Sequence, residues 1–129
     1  MNTTVEPALI DTQQLDTFID IGLVGYHDIL GDLIREVPVC LDTIRTLIQD
    51  GDLPALARRV HSFRGTLACF GCTAMTARLA DLNDQTPSPP ELASPLLAEL
   101  EDLWEKSLCA IREWEKSVPT FIAGGTIAN

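Results

Sequence analysis

The chain has 129 residues, with nineteen acidic side chains against nine basic ones and a net charge of -10. That length suits one domain able to bury a core without disulfide or metal staples. The charge repels phosphate backbones and anionic lipid, so neither nucleic acid nor a membrane surface is an expected partner. Residues 1–129 therefore read as a single domain, with a core over about 12–118 and a tail over 119–129.

Hydrophobic residues make up 46% of the chain and aromatic residues only 5%. An apolar set dominated by Leu, Ile and Ala favours helix over sheet. Met1 to Leu15 shows no basic start and no apolar run, so no secretory signal is read there. The expected setting is the cytoplasm, with the four cysteines mostly reduced.

Asp11 or Thr12 can cap a short helix bearing Leu15, Phe18 and Ile19, after which Gly22 and Gly25 loosen the chain. A long helix is expected over about Tyr26 to Gln49. Its stripe is Ile29, Leu30, Leu33, Ile34, Val37, Leu41, Ile44, Leu47 and Ile48. Pro38 should kink or split it, and the expected outcome is one kinked element. Asp50-Gly51-Asp52 stops one helix and caps the next. That third helix runs from about Leu53 to Phe70 and ends at Gly71. A fourth covers about Thr73 to Asp84, with Met75, Leu79 and Leu82 at helical spacing. Thr86 to Pro90 is a proline-rich loop. The last helix starts near Ser94, carries Leu96, Leu97, Leu100, Leu103, Trp104, Leu108, Ile111 and Trp114, and stops before Pro119. No strand pattern competes. The fold class is all-α: an up-and-down four-helix bundle with a short leading N-terminal helix.

The third helix carries the chemistry. At about 100° per residue, Leu56, Val60, Phe63, Leu67 and Phe70 lie about 100° to 180° from His61. They must be the buried stripe, which forces His61 outward. Ala57, Arg58, Arg64, Gly65 and Ala68 lie within about 60° of it. Glycine inside an exposed helix costs about 1 kcal/mol against alanine, so Gly65 needs a reason. Close approach of a partner beside His61 would supply one. An imidazole nitrogen is a competent nucleophile near neutral pH, and Arg64 can counter an added phosphoryl charge.

Val60-His61-Ser62-Phe63-Arg64-Gly65-Thr66-Leu67-Ala68-Cys69-Phe70-Gly71-Cys72 resembles the signature of the histidine-containing phosphotransfer (HPt) family. That signature reads roughly A-H-x-L-K-G-x-x-x-x-L/I-G-A. The match falls at His61, Phe63, Arg64, Gly65, Phe70 and Gly71. The lead-in Leu-Ile-Gln-Asp-Gly-Asp-Leu-Pro-Ala-Leu-Ala and the following Arg78-Leu79-Ala80-Asp81-Leu82 also look like the family, and the resemblance covers about Phe18 to Asn83. Arg64 stands where Lys is usual, Val60 and Cys72 where Ala is common. The resemblance implies a phosphoacceptor at His61, a charge partner at Arg64 and clearance at Gly65. Arg58, Ala57 and Ala68 would complete the docking face.

The expected activity is that of a phosphorelay carrier exchanging a phosphoryl group with the aspartates of receiver domains. It would be a monomer with no ATP site and no cofactor of its own, the Mg2+ residing on the partner receiver. The rival on the same fold is a non-transferring module that docks a receiver or kinase. A more distant one is a redox or zinc function for the Cys69–Cys72 pair, with Cys40 and Cys109 as the remaining thiols. His27 reads as a surface or helix-start histidine without a role. Trp104 and Trp114 read as core.

Overall fold

The computed structural model describes residues 8–84 and 93–118. Over these it is entirely helical, in the order α1 (Thr12–Ile21), α2 (Leu23–Asp50), α3 (Leu53–Cys69), α4 (Thr73–Asp84) and α5 (Ala93–Ser117). The expected loop over Thr86 to Pro90, the stop at Pro119 and the tail lie outside the described residues.

The helices begin and end where local chemistry dictates. Asp11, rather than Thr12, caps α1: its Oδ1 accepts from the Gln13 and Gln14 backbone N–H groups at 3.0 and 3.4 Å. Asp52 caps α3 by accepting from the Ala55 N–H at 3.2 Å. Gly51 ends α2 at φ 72°, a left-handed conformation that costs glycine nothing. Gly25 does not loosen the chain. Gly22 alone separates α1 from α2, and Gly25 lies in the first turn of α2.

Pro38 neither splits nor ends α2, which continues through it for 28 residues. A row of buried residues on both sides of the proline holds the helix together: Tyr26, Leu30, Leu33, Val37, Leu41, Ile44 and Ile48. Packing of this kind outweighs the backbone bond a proline forfeits. Ile29 departs from the expected stripe and is exposed.

α2 packs against α3 and α5, α3 against α4, and α4 against α5, so these four helices close a ring of neighbours around one core. Leu56, Val60, Phe63 and Leu67 enter that core from α3, Met75 and Leu79 from α4, and Leu97, Leu100, Trp104 and Ile111 from α5. α1 packs on α2 and also closes the end of the α3–α4 turn. The Asp11 N–H donates to the Gly71 carbonyl at 2.7 Å, Gln14 Nε2 donates to the Cys69 carbonyl at 3.0 Å, and the Phe18 and Phe70 rings meet at 5.2 Å.

Candidate functional site

The helical phase read from the sequence is the phase the structure adopts. Leu56, Val60, Phe63, Leu67 and Phe70 are all buried, and His61 is exposed on the opposite side of α3. Ala57, Arg58, Gly65 and Ala68 are exposed around it, while Arg64 is half-buried. His61 makes no hydrogen bond with any described residue, so both ring nitrogens face solvent chemistry rather than the fold.

Gly65 has no local steric reason to be glycine. Its φ is ordinary, and a Cβ built there meets nothing within 4 Å. The opening it leaves beside His61 is therefore free for something outside the chain. Gly71 is the opposite case. Its φ is 77°, and a Cβ there would come within 2.7 Å of the Asp11 carbonyl oxygen. One motif glycine is a constraint of the fold, and the other is not.

The charges of α3 set it apart. It holds Arg58, Arg59 and Arg64 and no acidic residue, in a chain with a net charge of -10. Every basic side chain outside α3 has a carboxylate partner: Arg35 with Asp32, Arg45 with Asp42 and Glu101, Arg78 with Asp81 and Glu99, Lys106 with Asp102, Arg112 with Glu115, and Lys116 with Glu113. None of the three arginines of α3 has one among the described residues. Arg59 turns away from His61 by about 160° of helical phase and lies against the Cys40 thiol of α2. Arg58 and Arg64 flank the imidazole. The Arg64 Nε is closed off from water and meets no hydrogen-bond partner among the described residues. A desolvated guanidinium nitrogen without a partner favours binding of an anion by the rest of the group.

The Cys69–Cys72 pair is divided by the fold. Cys69 is exposed at the end of α3, whereas Cys72 is fully buried and burial pushes its thiol up to about 12. All four cysteines are free thiols, and no group of three or more metal-ligating side chains occurs among the described residues. No helix among the described residues is long and apolar enough to cross a membrane.

Two details were missed by reading the sequence. His27 stands near the start of α2, as one of its two expected places had it, but it is half-buried rather than on the surface, with its ring edge-on to Tyr26 and the ring centroids 5.3 Å apart. Tyr26 itself is fully buried, and its hydroxyl donates to Glu115 Oε2 at 2.7 Å. A tyrosine at one end of a long helix and a glutamate 89 positions later give no pattern that periodicity could reveal.

A protein-family model described as Hpt domain matches residues 28–114, well over half of the chain. The chain belongs to the Hpt domain family. Searches of curated proteins and of solved structures returned no match. Hpt domains are phosphocarrier modules rather than enzymes, and membership ties this chain to histidine phosphotransfer in two-component phosphorelays. The family typically interacts with receiver domains. The matched span holds all of α3, and with it His61, Arg58, Arg64 and Gly65.

Proposed function

We infer that this Hpt domain carries a phosphoryl group on His61 between the aspartates of receiver domains, with α2 to α5 running up and down as a four-helix bundle beneath it. The observation that carries the reading is the exposed His61 on a face of small residues, flanked by two arginines that no carboxylate among the described residues neutralises.

In the transfer, the lone pair of an unprotonated imidazole nitrogen attacks the phosphorus of an aspartyl phosphate on the partner. The N–P bond forms as the P–O bond to the aspartate breaks, and the aspartate leaves as a carboxylate. The return step reverses this. The other ring nitrogen keeps its proton throughout. Arg64 meets the charge of the phosphoryl oxygens on the carrier's side, and Mg2+ on the partner meets it on the other. Gly65, Ala57 and Ala68 keep the approach clear.

The deciding experiment is transfer from a panel of phosphorylated receiver domains to the wild-type chain and to His61→Gln. Acid-labile, base-stable label is expected on the wild type only. Label retained by the folded variant would move the site elsewhere. No uptake from any donor, with receiver binding intact, would favour the non-transferring module.

A further inference from the structure

Arg58 and Arg64 of α3, without a carboxylate partner among the described residues, point to the chemistry of the partner as well as to that of the phosphate. Six basic side chains of this chain are neutralised locally, each by an acid three or four positions away on its own helix, and Arg78 and Arg45 also by an acid on α5. Acidic residues are plentiful enough to have done the same on α3, yet its seventeen residues contain none. Arg64 is half-buried beside His61 with one nitrogen already desolvated, which fits the phosphoryl group. Arg58 is different. It is exposed, on the other flank of His61, and bonded to no described residue. A single dianionic phosphoryl group does not need a second long cation that reaches outward from the docking face.

We propose that Arg58 is a specificity-determining contact, directed at a carboxylate-rich rim around the partner's phosphorylated aspartate, and that α3 is the cationic docking strip of an otherwise repulsive surface. The proposal rests on the carrier reading for the identity of the partner. The partner's charge follows from general chemistry. An aspartyl phosphate that works with Mg2+ needs further carboxylates to hold the ion, so the rim of such a site is acidic. The rest of this chain is strongly negative and repels that rim. Only the strip bearing Arg58 and Arg64 attracts it, so approach is oriented before contact. The small side chains of Ala57, Gly65 and Ala68 let the two surfaces close without displacing either arginine.

The test measures association rates with a panel of receiver domains over a range of salt, for the wild type, Arg58→Glu and Lys116→Glu. The two variants change net charge equally, and Lys116 is an exposed residue at the far end of α5, paired with Glu113. Arg58→Glu is expected to slow association on the order of tenfold at low salt, with the gap closing as salt screens the contact. Lys116→Glu should stay within about twofold of the wild type. Equal slowing by both variants, no slowing by Arg58→Glu, or no receiver binding at all would overturn the proposal. Failure of the carrier reading shows separately, as absence of label on His61 in a chain that still binds.

Discussion

The Tyr26 hydroxyl donates a 2.7 Å hydrogen bond to Glu115 Oε2, joining the first turn of α2 to the last turns of α5. Tyr26 is fully buried, its ring stacks on Phe70 at 5.5 Å, and Trp114 lies 6.0 Å away. Burial and the neighbouring carboxylate hold the phenol proton far above its ordinary range. Glu115 keeps some contact with Arg112 at 3.3 Å, so its charge is not orphaned if the tyrosine is changed. Tyr26→Phe is therefore expected to cost about 1.5–3 kcal/mol in urea denaturation, the range for losing a buried hydrogen bond to a charged group. Phosphate uptake should not change, because the contact touches no part of α3's outer face. A loss below about 0.3 kcal/mol would mean that water replaces the hydroxyl at no cost.

Gly71 and Gly65 should respond to alanine in opposite ways. At Gly71 the φ of 77° and the 2.7 Å approach to the Asp11 carbonyl both penalise a Cβ. The obstacle is backbone, which cannot rotate away. Gly71→Ala is expected to cost about 2 kcal/mol or more and to loosen α1, whose first backbone bond runs to Gly71. At Gly65 the Cβ enters open space in the middle of a helix. Gly65→Ala is expected to stabilise by about 1 kcal/mol. Gly65→Gln should keep helicity and weaken receiver binding. Thermal melts by circular dichroism, with receiver titrations, check all three, and unchanged affinity in Gly65→Gln would remove the clearance argument.

Ser107 occupies a place in the core seam of α5, at the spacing set by Leu97, Leu100, Trp104 and Ile111. It is fully buried, and its hydroxyl has no partner among the described residues. A buried, unpaired hydroxyl is a cost, so Ser107→Ala is expected to raise stability by about 1 kcal/mol. A loss of similar size would show that the hydroxyl is satisfied in solution.

What the sequence made legible was what repeats along a helix. The α3 phase needed only the spacing of Leu56, Val60, Phe63, Leu67 and Phe70, and that spacing alone placed His61 outside. The caps at Asp11, Asp52 and Gly51 were also local signals. The rest depended on which helices meet. Periodicity weighs Ile29 and Leu30 alike, and only packing exposed the first and buried the second. Ser107 was overlooked because polarity counts against burial, although the steps of three and four through α5 pass through it. Pro38 was read for its local penalty, while the interactions that outweigh it are tertiary. The free state of Arg58 and Arg64 was likewise invisible, since it is defined by the ion pairs the other basic residues make.

Cys72 gives the fold a dependence on alkaline pH. Its thiol is fully buried, and its pKa moves from 9.0 to about 12 because burial disfavours the thiolate. The folded state then keeps a proton that the unfolded state gives up. Folded stability is fully present below about pH 9 and falls as pH rises from there toward 12, the direction linkage requires when the native state binds more protons. Tyr26 adds to the same trend from higher pH, since its proton is also held more tightly in the folded state. In Cys72→Ala the fall with pH should be shallower by up to about 1.4 kcal/mol per unit, one proton's worth. Thiol labelling gives an independent check at neutral pH. The exposed Cys69 and Cys109 should react readily in the native protein, and Cys72 only after denaturation. Rapid labelling of Cys72 in the folded chain, or an identical pH slope in Cys72→Ala, would show that the α3–α4 turn opens far more easily than the packing of Phe70, Gly71 and Cys72 allows.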